Sequence, residues 1–197
     1  MSAHRILGVE KTLSSLLNGN VEVINGLKTV EAFRFPHQRS FLEVNTVGKP
    51  LSEAERAYLA GFLDGDGAIM ALIEKHPEKR FGFRIRVEVK ATQFHECDVS
   101  WLPAQTGVGY IRRNLKTYEW IVRDQRAAAW LLNIIAPYTR CKRNQVALAL
   151  QILEHLIESR EDLVKVAQLA DALSKFNVRS RLRRKNHAAM IQESALP

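Results

Sequence analysis

The chain predicts an α+β fold in the order αββαββα, with extra helices at its C-terminal end. Three observations carry this. A capped run of small and apolar residues over 53–63 reads as a helix. Two pairs of strand-like segments follow, separated by a short helical stretch, and the second segment alternates apolar with charged residues. From residue 125 onward the apolar spacing is almost wholly helical. Strand pairs set between helices, rather than strands alternating singly with helices, define α+β.

Residues 1–50 precede this pattern and read as an N-terminal extension. It carries a helix at 9–17, a strand at 21–24 before the Asn25-Gly26 turn, and Phe33, Phe35 and Phe41 as packing residues. A domain is predicted over 51–197. Ser52 with Glu55 forms a capping box, so a helix begins near Glu53, and Gly65 and Gly67 stop it after Leu63. Ala57, Ala60, Gly61 and Asp64 recur at helical spacing on one stripe. Such small residues would let a second backbone come close, although an ordinary core face also uses alanines.

Strands are expected at 68–75 and 81–92, joined through 76–79. In the second, Phe83, Ile85, Val87 and Val89 point one way, and Arg84, Arg86, Glu88 and Lys90 the other. Leu72, Glu74 and His76 continue that charged surface on the first strand. A helix at 99–102 is cut off by Pro103. Strands at 108–113 and 118–123 flank a turn at Asn114-Leu115-Lys116, placing Arg112, Asn114, Glu119 and Ile121 on the extended surface. Helices at 125–135, 144–157 and 161–176 complete the domain. The run 177–185, with Arg179, Arg181, Arg183, Arg184 and Lys185, is the densest basic stretch.

Composition narrows the function. The 197 residues are 46% hydrophobic and 25% charged, as in a globular protein, with a net charge of +8 that favours a polyanionic partner. Cys97 and Cys141 have neither metal-ligand nor disulfide-framework spacing, so a reducing interior is expected. No apolar run reaches membrane-spanning length and no secretory leader opens the chain. The expected location is therefore intracellular, in a bacterial cytoplasm or an organelle, with no membrane partner. The polar face of an amphipathic strand is ordinarily just solvated, but Arg84, Arg86 and Lys90 on one face suit a curved sheet in the major groove.

The most informative stretch is Leu59-Ala60-Gly61-Phe62-Leu63-Asp64-Gly65-Asp66-Gly67. A carboxylate at a helix C-terminus meets the negative end of the dipole, so an Asp kept there suggests a task such as holding a cation. Mg²⁺ takes hard oxygen ligands and keeps several waters, so Asp66 with the Gly65 carbonyl would suffice as protein ligands. The string resembles the signature of the LAGLIDADG homing endonucleases, over about 51–185. The resemblance implies that the signature helix is a dimer seam and that Asp66 binds Mg²⁺, with Mn²⁺ as a substitute. It also implies that the paired strands read double-stranded DNA. Gln93 stands where homodimeric members carry a water-ordering Gln, and Lys142 where they carry an active-site Lys. Cys97 departs from the pattern, since some members have a basic residue there. One signature per chain implies a homodimer with C₂ symmetry, and a roughly palindromic target for double-strand cleavage. Two other roles share the fold: an intron-encoded RNA splicing helper (maturase), and a DNA-binding regulator that does not cut.

Overall fold

A computed structural model describes residues 47–177 and 187–193. These belong to a compact unit spanning 40–197. The predicted elements and phenylalanines before residue 47, and the basic run with Arg179, Arg181, Arg183, Arg184 and Lys185, lie outside the described residues.

The element order is α1 (Glu53–Asp66), β1 (Gly67–Lys75), β2 (Phe83–Gln93), α2 (Cys97–Thr106), β3 (Tyr110–Asn114), β4 (Thr117–Val122), α3 (Gln125–Ile135), α4 (Arg143–Glu154), α5 (Arg160–Asn177) and α6 (His187–Glu193). This is αββαββα followed by further helices. The four strands form one antiparallel sheet in the order β1-β2-β4-β3.

The capping box at the start of α1 is formed: Glu55 N–H donates to Ser52 Oγ at 3.3 Å, and Ser52 N–H donates to Glu55 Oε2 at 2.7 Å. The helix runs three residues beyond the predicted stop at Leu63. Gly65 stays helical, and Gly67 (φ −80°, ψ 157°) leads straight into β1. What requires glycine at 67 is closeness, since a Cβ there would lie 2.6 Å from the Leu63 carbonyl. Pro103 does not end α2 either, and the helix continues to Thr106. A proline forfeits one backbone bond, and here the Thr106 hydroxyl donates to Leu102 O at 2.6 Å to help hold the last turn. The second hairpin turns on Leu115 and Lys116 alone, because Asn114 is already paired with Thr117. His76 lies one residue beyond β1 rather than in it.

Register sorts the sheet into two faces. Ile69 opposes Val89, Ala71 opposes Val87, Ile73 opposes Ile85, and Ala91 opposes Trp120. Ile73, Phe83 and Ile85 pack on Leu163 of α5 and Ala188 and Ile191 of α6. Leu59, Ala60 and Leu63 of α1, with Leu131, Leu132 and Ile135 of α3, are also buried. The described helices therefore anchor the apolar face. The lead-in is already fixed at Lys49, whose N–H donates to Thr106 O and whose Nζ donates to Ala104 O, both at 2.8 Å.

Candidate functional site

Three elements converge where α1 ends. Asp66 is the last residue of the helix and is exposed. Gln93 is the last residue of β2, and its amide Nε2 donates to Asp66 Oδ2 at 2.8 Å. Lys142, in the turn before α4, donates from Nζ to the backbone carbonyl of Asp64. The resemblance named all three, and they come together at one end of the sheet. Among the described residues no three His, Cys, Asp or Glu side chains group as a metal site. Among the described residues of this cluster, Asp66 carries the exposed carboxylate.

The donors fit a hard divalent cation. Among the described residues Asp66 Oδ1 accepts no hydrogen bond, and the Gly65 carbonyl sits in a last turn whose oxygens are beyond the helical ladder.

Asp64 was expected on one stripe of α1 with Ala57, Ala60 and Gly61, and its carboxylate is turned to the segment before α4. Its Oδ2 accepts from the backbone N–H groups of Arg140 (2.6 Å) and Cys141 (3.1 Å), and its Oδ1 from that of Lys142 (3.0 Å). Partial burial opposes the charged form, but these three donors and the Lys142 ammonium outweigh it and hold the carboxyl below its usual range. Ala60 is likewise turned inward at 0% exposure. Helical geometry gives an outward face of Ala57, Tyr58, Gly61 and Gly65, all exposed, with Tyr58 at 64%. A Cβ at Gly61 or Gly65 would meet nothing within 4 Å.

The charged sheet face is assembled as expected. Cross-strand partners share a face, so Leu72 with Arg86, Glu74 with Arg84, and Arg112 with Glu119 all point the same way. Three members are nonetheless buried and cannot meet a ligand as they stand: Glu88 at 4%, Glu119 at 2% and Ile121 at 0% exposure. Glu119 accepts from Lys90 (2.9 Å), from Arg112 Nε (3.1 Å) and from Asn114 (3.1 Å), while Glu88 pairs with Arg123. Burial pushes the Glu119 carboxyl up, but these donors overcome it and bring it down to about 2. Ile121 lies between Lys90 and Tyr110 in the ladder. Arg86 pairs with Glu74 at 2.8 Å, whereas Arg84 is exposed and has no ion pair among the described residues. Two residues were missed. Tyr110, 44% exposed, extends the Arg112 and Asn114 row by one step of the same alternation. Arg123, one residue beyond β4, closes the face and continues the alternation of Glu119 and Ile121.

An antiparallel sheet with one charged face thus ends beside an acidic, amide and ammonium cluster. Comparison with known proteins identifies the family. No family model matches the chain. It is 32% identical over 120 residues to the DNA endonuclease I-CvuI of Chlorella vulgaris, a match spanning 58% of this chain and 74% of that protein. It is 28% identical over 127 residues to the DNA endonuclease I-CreI of Chlamydomonas reinhardtii, spanning 61% and 77%. The crystal structure of I-CvuI with the I-CreI target, determined with magnesium and showing uncleaved DNA, superposes with a TM-score of 0.66. That match has 27% identity over 72% of this chain and 92% of that one. The archaeal intron-encoded I-Vdi141I on DNA shares the fold at a TM-score of 0.63 and 20% identity, over 72% of this chain and 96% of that one. The chain belongs to the LAGLIDADG homing endonuclease family and is an endonuclease.

Proposed function

We propose that two copies of this chain form a Mg²⁺-dependent endonuclease making a site-specific double-strand break in a long, roughly palindromic DNA duplex. The observation that carries this is the contact of Gln93 with Asp66, with Lys142 anchored two residues away on the Asp64 carbonyl. Asp66 and the Gly65 carbonyl would hold the metal, with Mn²⁺ as a substitute. When bound, it neutralises the attacked phosphate and lowers the pKa of coordinated water.

The chain's own groups do the rest. Gln93 spends one amide hydrogen on Asp66 and keeps the other to orient a water. The Lys142 ammonium keeps two of its three hydrogens free to hold that water and offset developing charge. Arg84 and the paired Arg86, Lys90, Arg112 and Asn114 would meet base edges, with Leu72, Glu74 and His76 beside them. Arg179, Arg181, Arg183, Arg184 and Lys185 would hold phosphates and fix position without reading sequence. Residues 51–197 form the cutting domain, with 1–50 an extension ahead of it. Its unpaired Cys97 and Cys141 suit the reducing interior of a bacterial cell or an organelle.

Asp66→Asn tests this. The variant should bind a duplex selected by the wild type with little change and lose cleavage. Retained cutting removes Asp66 from the mechanism. Tighter binding of intron RNA than of any duplex would point instead to a splicing helper.

A further inference from the structure

Lys142 occupies the N-cap position of α4, and no side chain of its own segment caps that helix. A lysine is poorly suited to the place. Its side chain has donors only, so it cannot accept from the free N–H groups of the first turn. Its charge also sits at the positive end of the helix dipole. Asn, Asp or Ser at 142 would satisfy the turn locally.

An acceptor for the N–H of this N-cap, and for the two N–H groups before it, comes from 78 residues earlier in the chain. The Asp64 carboxylate takes three consecutive backbone N–H groups, from Arg140, Cys141 and Lys142, and thereby places negative charge at the start of α4. In return the Lys142 ammonium donates to the carbonyl of Asp64. Backbone and side chain of Lys142 are both tied to one residue. That residue is set firmly by the buried Leu63 beside it. Asp66 lies two residues further on, in the same last turn of the helix.

We propose that Asp64 is a positioning residue for cleavage, a clamp that holds the Lys142 ammonium at a fixed place relative to Asp66. The inference rests on the role given to Lys142 above. Asp64 touches neither DNA nor metal, and it acts only through the turn at 140–142. Orientation of a reacting group is steep in its effect on rate, with a misplacement of about 1 Å costing on the order of a hundredfold.

The test is a double-mutant cycle on the full chain, using a duplex selected from a randomised library for cleavage by the wild type with Mg²⁺. Asp64→Asn keeps the volume but turns an amide donor toward backbone donors. Asp64→Ser keeps a capping oxygen and gives a second variant if the first does not fold. The expected result is a fall in kcat of about tenfold or more, with KM and duplex affinity within about twofold. Lys142→Ala should also be slow, and adding the Asp64 substitution to it should cost nothing further. Additive losses in the double variant would overturn the clamp, as would wild-type rates for Asp64→Asn or Asp64→Ser. So would failure of both to fold, which would make Asp64 simply structural. Wild-type cutting by Lys142→Ala alone would instead sink the role of Lys142, and the inference with it.

Discussion

At the scale of single residues, the charged sheet face is set less by its cations than by the two carboxylates beneath them. Glu119 gathers Lys90, Arg112 and Asn114, so three donors proposed to meet a groove are held in fixed relation to one another. Glu119→Gln should cost roughly 1–3 kcal/mol of stability near neutral pH, since it removes charge-assisted bonds around a buried group. The native carboxyl titrates at about 2 against an ordinary 4.5. Its contribution is therefore complete above about pH 4.5 and is lost as pH falls from there toward 2. Urea midpoints from about pH 6 down to about pH 2.5 should show wild type and variant converging across that window. A gap that stays constant would mean that the charge of Glu119 is not what stabilises the face. Alternation placed Glu88, Glu119 and Ile121 on the correct side of the sheet. It could not show that they are buried, because their partners (Arg123, Lys90 and Arg112, Tyr110) come from neighbouring segments or strands that a period-two pattern does not bring together.

At the scale of elements, the glycines of α1 separate two demands that look alike in sequence. Gly67 is required by the chain itself, because a methyl there would press on the Leu63 carbonyl 2.6 Å away. Gly67→Ala should lower the melting temperature in line with roughly 1–3 kcal/mol of overpacking strain. Gly61 has open space around it, and a helical glycine is about 1 kcal/mol worse than alanine. Nothing among the described residues accounts for it, whereas a second backbone lying across α1 would. Gly61→Leu should therefore leave the folded monomer at least as stable, while sedimentation shows loss of the dimer; a dimer unchanged by that substitution would move the seam elsewhere. The capping box fixed where α1 begins, and the spacing of α3 was legible to the residue. The end of α1 was not, because glycine in a last turn permits either a stop or one more turn. The neighbouring β1 and the Gln93 contact favour the longer helix. Only the contacts of Asp64 reveal that it faces α4, since a helical stripe lists the residues on a side without saying what lies opposite.

At the scale of the whole molecule, the proposed site has one exposed carboxylate among the described residues, that of Asp66, and a duplex has two strands to break. Two copies related by a two-fold axis along α1 would supply a second Asp66 and double the +8 charge over the phosphates. Such an interface is isologous, so each copy presents the same sheet face to one half of the site, and each half is read by identical side chains. The consequence is specific. If a natural target is imperfectly symmetric, then replacing its right half by the inverted left half, or the reverse, gives two palindromes that the same dimer must accept. Both should be bound as a complex of two chains, about twice 22.4 kDa of protein, and both should be cut on each strand. A protein acting as a single chain has no reason to accept either, because its one sheet face cannot match two inverted halves. Cleavage of the natural site alone, with neither palindrome bound, would show that the two halves are read by different surfaces and that the seam along α1 is not the axis of the enzyme.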